Sequence, residues 1–95
     1  MKTVPDILRE SADLFEERNK DYGSAYKDHP HLLFALIGPI QLETPDDYER
    51  LIRISTILGK LNRYSKNFSK GGHTDSANDL TVFAAMLAEF QQFEE

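Results

Sequence analysis

Residues 44–72 read TPDDYERLIRISTILGKLNRYSKNFSKGG, and this stretch decides the fold class. Thr44 is an N-cap residue, Pro45 suits the first helical position, and Asp46 and Asp47 suit the positive end of a helix dipole. A helix starting there runs to about Phe68 or Lys70 and stops at Gly71-Gly72. At about 100° per residue, Leu51, Ile54, Ile57, Leu58, Leu61, Tyr64 and Phe68 share one face. The opposite arc carries Arg53, Thr56, Gly59, Lys60, Arg63, Lys66, Asn67 and Lys70, so the basic residues form a stripe.

The flanking sequence has the same character. Downstream, a helix begins near Thr74-Asp75 and continues to about Phe93, apolar around much of its circumference through Leu80, Val82, Phe83, Met86, Leu87 and Phe90. Upstream, Pro30 opens and Gly38-Pro39 stops a short apolar helix from His31 to Ile37, expected to be buried, within the chain or between subunits. The first helix starts at Thr3, where Thr3 and Asp6 resemble a capping box with Pro5 in the first turn. It runs to about Lys20 with Val4, Ile7, Leu8, Leu14 and Phe15 at helical spacing, and Tyr22-Gly23-Ser24 breaks it. Alternating apolar runs are nearly absent, so strands are not expected. The chain reads as one all-α domain over residues 1–95, a small bundle of three longer helices and one short apolar helix.

Composition narrows the function. A chain of 95 residues buries only about 60–65% of its unfolded surface, and self-association is a natural way to enlarge so modest a core. With 40% hydrophobic and 28% charged residues the chain is an ordinary globular domain. Having no cysteine, it has no disulfide framework, thiolate metal site or cysteine nucleophile. The run Leu32 to Ile37 is too short to span a bilayer and the N-terminus lacks a signal-peptide stretch, so a soluble, cytoplasmic protein is expected. The net charge of −5, from 11 basic and 16 acidic residues, argues against general nucleic-acid coating. That charge is segregated. Arg50, Arg53, Lys60, Arg63, Lys66 and Lys70 fall in a segment without acids, whereas Asp75 to Glu95 holds acids and no base. A basic strip on an acidic protein suggests a small anionic ligand, and a solvated helix face pairing with acidic neighbours is the alternative.

Polar residues on inward faces supply the candidates. Arg18 follows Ile7, Ser11 and Leu14 on the inner face of the first helix, where a guanidinium needs an anionic partner unless it snorkels to solvent. Lys60 and Arg63, spaced i, i+3, can clamp one anionic group. Gly59 beside them costs about 1 kcal/mol relative to Ala in a helix interior, which close approach by another helix or a ligand would explain. Asp75 and Asp79 are one turn apart and point at the bundle. They can ligate Mg²⁺ with substrate phosphates, accept hydrogen bonds from arginines, or cap the helix. His73 is a possible phosphate contact, base or loop residue. Tyr22 and Tyr26 offer flat faces for a nucleobase or for core packing. Phosphate-loop, His-Glu-x-x-His and G-x-S-x-G templates are absent.

The strings Phe15-Glu16-Glu17-Arg18-Asn19-Lys20-Asp21-Tyr22-Gly23, Lys60-Leu61-Asn62-Arg63-Tyr64 and His73-Thr74-Asp75-Ser76-Ala77-Asn78-Asp79-Leu80 resemble a family of small phage and prophage proteins. That family is distantly similar to the MazG-type nucleoside triphosphate pyrophosphohydrolases and to phage nucleotide-modification-associated domains. The resemblance extends from Ile7 to about Leu87. It implies a helical homo-oligomer that handles a nucleotide phosphate with Mg²⁺ between helices, in the host cytoplasm if phage-encoded. MazG-type sites use Glu-x-x-Glu and Glu-x-x-Asp pairs on neighbouring helices. This chain departs from that pattern: Asp75-x-x-x-Asp79 replaces one pair, Glu16 or Glu17 would have to supply the other, and Glu10, Asp13 and Glu16 face solvent.

Two functions follow from the resemblance. In the first, a Mg²⁺-dependent nucleotide pyrophosphohydrolase, Glu17, Asp75 and Asp79 hold metal while Arg18, Tyr22, Tyr26, Lys60, Arg63 and His73 hold the nucleotide. In the second, the same nucleotide-binding residues sequester a cyclic-nucleotide or ADP-ribose-type immune signal unchanged, an anti-defence role. A third, unrelated possibility is a protein–protein adaptor using Leu32 to Ile37.

Overall fold

The computed structural model describes residues 1–23 and 25–93, without the side chains of Asp21 and Tyr22. Among the described residues every regular element is helical: α1 (Val4–Tyr22), α2 (Ala25–Ile37), α3 (Pro45–Lys66), a 3-10 turn (Phe68–Lys70) and α4 (Thr74–Gln92). No helix in this set is long and apolar enough to cross a membrane.

The helix starts follow from their caps. The Thr3 hydroxyl accepts from the Asp6 amide at 3.4 Å while the Asp6 carboxylate accepts from the Thr3 amide at 2.9 Å. Thr44 and Asp47 repeat this capping box at α3, where the Asp47 carboxylate also accepts the Glu43 amide at 3.0 Å. Two otherwise unsatisfied N–H groups are thus closed at each start. These backbone donors hold the Asp6 and Asp47 carboxyls below the usual carboxylate range because they favour the charged form. At α4 the cap is His73, not Asp75: its Nδ1 accepts from the Ser76 amide at 3.3 Å and Asp75 stands in the first turn. The expected run of α3 to Phe68 or Lys70 is corrected: α3 ends at Lys66 with Asn67 as its C-cap, and the left-handed Gly71, at φ 95°, closes the 3-10 turn that follows, with Gly72 at φ 91°. A Cβ on Gly72 would fall 2.6 Å from the Tyr64 ring.

α3 is the axis of the molecule. α4 returns antiparallel along one side, with Lys60 paired to Asp79, Arg53 reaching Met86 and Arg50 over the Phe90 ring. α2 runs antiparallel along another side. The expected start of α2 at Pro30 is corrected: the helix begins at Ala25 and takes Pro30 inside it. Proline there removes one helical hydrogen bond and usually costs about 3 kcal/mol. Contacts to α3 hold the turn before it: Asn62 Nδ2 donates to the Ala25 carbonyl at 2.8 Å, His29 meets Ser55 at 2.9 Å, and Asp28 pairs with Lys66. The sequence shows none of these long-range partners. Nor is the apolar half of α2 buried in the single chain, since Leu32, Phe34 and Leu36 are exposed.

The core is thin. Ala25 is the one buried apolar residue among those described. Leu51, Ile54, Ile57 and Leu58 of α3 are half-buried, as are Leu80, Phe83, Leu87 and Phe90 of α4. Leu61 and Phe68, expected on the buried face of α3, are exposed: α4 lies along Arg50, Arg53 and Lys60, and Phe68 falls in the 3-10 turn past the end of α3.

Candidate functional site

The arc of α3 that faces α1 and α2 carries Ser55, Thr56, Gly59, Lys60, Asn62 and Arg63, and these line a cavity of about 640 Å³. α1 supplies Phe15, Arg18 and Asn19; the start of α2 supplies Ala25, Tyr26, His29 and Pro30. Three cationic side chains from two helices therefore converge on one space. No Asp or Glu belongs to the described lining. The size lies within the range of small-molecule sites, about 300–1,000 Å³.

Gly59 explains how α2 comes so close. A Cβ at that position would stand 3.3 Å from the His29 ring, so only glycine leaves the imidazole at ordinary contact distance. His29 Nε2 lies 2.9 Å from Ser55 Oγ, which fixes the ring on the cavity wall. On the other flank, Phe15 meets Tyr26 edge to face, with centroids 5.7 Å apart. This aromatic pair lines the same cavity as Lys60 and Arg63, so a ligand with a flat apolar part and an anionic part can meet both kinds of surface.

The basic strip divides by function. Arg50 pairs with Asp47 at 3.1 Å, Arg53 with Glu49 at 2.8 Å, and Lys66 with Asp28, so these three serve local structure. Lys70 donates to the Lys20 carbonyl at 3.4 Å and ties α1 to the end of α3. Lys60 and Arg63 line the cavity. Lys60 is shared, since its Nζ also lies 3.0 Å from Asp79 and over the Phe83 ring.

Of the expected nucleotide contacts, Arg18, Tyr26, Lys60 and Arg63 line this cavity. The Tyr22 side chain lies outside the described residues. His73 is not among the lining residues; its ring caps α4, and Ser76 Oγ lies 2.7 Å from its Nδ1. Arg18 lines the cavity and is exposed rather than buried.

The three expected metal ligands are not brought together. Among the described residues no three His, Asp or Glu side chains form a group able to hold an ion. Glu17 is exposed on α1, Asp75 is exposed at the start of α4, and Asp79 faces Lys60. This donor arrangement does not fit a Mg²⁺ ion held by all three. Phe15, Asn19, His29, Ser55, Thr56 and Asn62 also line the cavity, a role the sequence does not signal. The cost of Gly59 signalled an approach to this face of α3 without naming the approaching side chain. A second cavity of about 410 Å³, lined mainly by Ile37, Ile40, Leu42, Leu51, Ile54 and Leu87, lacks this convergence of cations.

No family model, curated protein or solved structure matches this chain.

Proposed function

We propose that the protein binds a small nucleotide in the cavity between α1, α2 and α3. One observation carries this reading: Arg18, Lys60 and Arg63 line a common cavity together with the Phe15–Tyr26 ring pair. Cations clustered on one wall raise the local concentration of anions, so this wall favours an anionic ligand. Arg63 and Arg18 offer planar donor forks for phosphate oxygens, Lys60 a point charge, and Ser55 a hydroxyl. Tyr26, Phe15 and His29 supply the flat faces a nucleobase stacks on. The phosphate sits against α3 and the base near the start of α2.

Binding without turnover is the favoured form. Phosphoryl chemistry on a pyrophosphate needs metal charge neutralisation and a positioned water, and Glu17, Asp75 and Asp79 do not converge to supply it. Sequestration of a cyclic-nucleotide or ADP-ribose-type signal, an anti-defence task for a phage-encoded chain of MazG-like architecture, requires only the cations and aromatics described. Pyrophosphohydrolysis is the second reading. It rests on Asp79, whose carboxylate stands 3.0 Å from the cavity residue Lys60 and could share a Mg²⁺ ion with ligand phosphates.

The test is a panel of linear and cyclic nucleotides incubated with the protein, with and without Mg²⁺, followed by mass spectrometry of bound and released species. Intact ligand at one per site, lost in Arg63→Ala, is expected. Mg²⁺-dependent turnover abolished by Asp79→Asn would replace sequestration by hydrolysis, and no binding by any nucleotide would remove both.

A further inference from the structure

The single chain leaves too much of itself in water. Its accessible surface is 7332 Å², whereas a folded monomer of 10.9 kDa exposes about 5,600 Å², leaving an excess of about 1,700 Å². The radius of gyration, 16.4 Å, likewise exceeds the value of about 12 Å for a compact chain of this length. Homodimer interfaces of the obligate kind remove about 1,000–2,500 Å² from each chain, and the excess falls within that window.

The excess includes a well-defined apolar strip. Val4, Ile7, Leu8, Leu14 and Phe15 form one stripe along α1 and are each between 48% and 69% exposed. Arg9, Asp13, Glu16 and Lys20 occupy the opposite face. Such a helix is built to bury one side. Among the described residues, side-chain contacts that tie α1 to other elements, Phe15 to Tyr26 and Lys70 to the Lys20 carbonyl, lie in its second half.

From this we infer that the α1 stripe is buried against a second copy of the same chain, and that the assembly is obligate. A core with Ala25 as its one described buried apolar residue does not sustain a folded monomer, so the covering surface must be present whenever the chain folds. Another copy meets that condition, whereas an occasional partner does not. Phe15 belongs both to the stripe and to the cavity wall, and Arg18 lines the same cavity. The second copy therefore borders the cavity, and the complete nucleotide site is intersubunit. That last step rests on the proposed function; the self-association itself does not.

The experiment is sedimentation velocity on the full chain, beside Ile7→Glu/Leu14→Glu and the outer-face control Asp13→Lys. The wild type and Asp13→Lys are expected to sediment at a multiple of 10.9 kDa, and the double variant to lose that association. A wild-type monomer at micromolar concentration overturns the inference, as does a double variant with wild-type mass. If the double variant loses its helical circular dichroism, Leu8→Ala decides: a dissociation constant at least about tenfold weaker is expected, and an unchanged constant overturns it. Nucleotide titration of the same samples separates the two ideas. An oligomer that binds no nucleotide sinks the proposed function alone, and a monomer that binds nucleotide sinks the self-association alone.

Discussion

Lys60 belongs to two structures at once, and replacing it and its partner separates them. Its ammonium lies 3.0 Å from Asp79, with the two side chains 20% and 45% exposed, and 5.9 Å from the centroid of the Phe83 ring. A partly exposed ion pair contributes about 0.2–1 kcal/mol and a cation near the limit of ring contact about 0.5 kcal/mol. Lys60→Ala should therefore destabilise the fold by about 1 kcal/mol, and the coupling energy of the Lys60→Ala, Asp79→Ala cycle should be about 0.5–1 kcal/mol by urea denaturation. Ligand affinity follows a different pattern. Losing a charge-assisted phosphate contact costs about 1.5–3 kcal/mol, so Lys60→Ala should weaken nucleotide binding by about 10- to 100-fold. Asp79→Ala removes the competing anion and should leave affinity unchanged or improve it by a few fold, while lowering stability. Isothermal titration beside the denaturation curves gives both numbers. The reasoning fails if Asp79→Ala costs as much affinity as Lys60→Ala, which would place Asp79 in the ligand's own coordination and favour the metal-dependent reading.

Three further outcomes follow from the structure. The carboxyls of Asp6 and Asp47 are held low by the amides they cap, so their contribution is present above the usual 3.8 and is lost as pH falls below it; far-UV circular dichroism should show acid fraying that Asp6→Asn/Asp47→Asn makes pH-independent. Gly71→Ala should cost about 1–2 kcal/mol for its left-handed conformation, and Gly72→Ala measurably more because its Cβ would also press on Tyr64, an ordering that denaturant midpoints check. Gly59→Leu should displace His29 from Ser55 and abolish nucleotide binding, while Gly59→Ala, gaining about 1 kcal/mol of helix propensity against a 3.3 Å contact, should leave stability within about 1 kcal/mol of wild type.

What could be read from the chain were the local features. Thr3, Asp6, Thr44 and Asp47 declare their helices because a capping box closes within four residues. Gly71-Gly72 marks the end of the segment but not of α3, which gives way at Lys66 to a 3-10 turn that Gly71 closes. The start of α2 is not legible, because proline suits a first helical turn and the true beginning, at Ala25, is held by Asn62, Lys66 and Ser55, partners on another helix. The basic stripe and the cost of Gly59 located the cavity wall on α3. Which cations would stay at that wall was not readable: Lys66 and Lys60 are alike in sequence, and only packing gives one to Asp28 and places the other on the cavity. Tyr26 was picked out for its flat face, whereas His29 escaped notice because its role depends on the gap left by Gly59.

The capping box of Thr3 and Asp6 closes within the first turn of α1 and uses nothing from the rest of the molecule. A helix of 19 residues draws most of its stability from packing of its apolar face and not from its cap. The inferred association would then supply the cover and leave the start of α1 to the chain itself, so folding and assembly should be coupled, and the fraction of helical chains should rise with chain concentration.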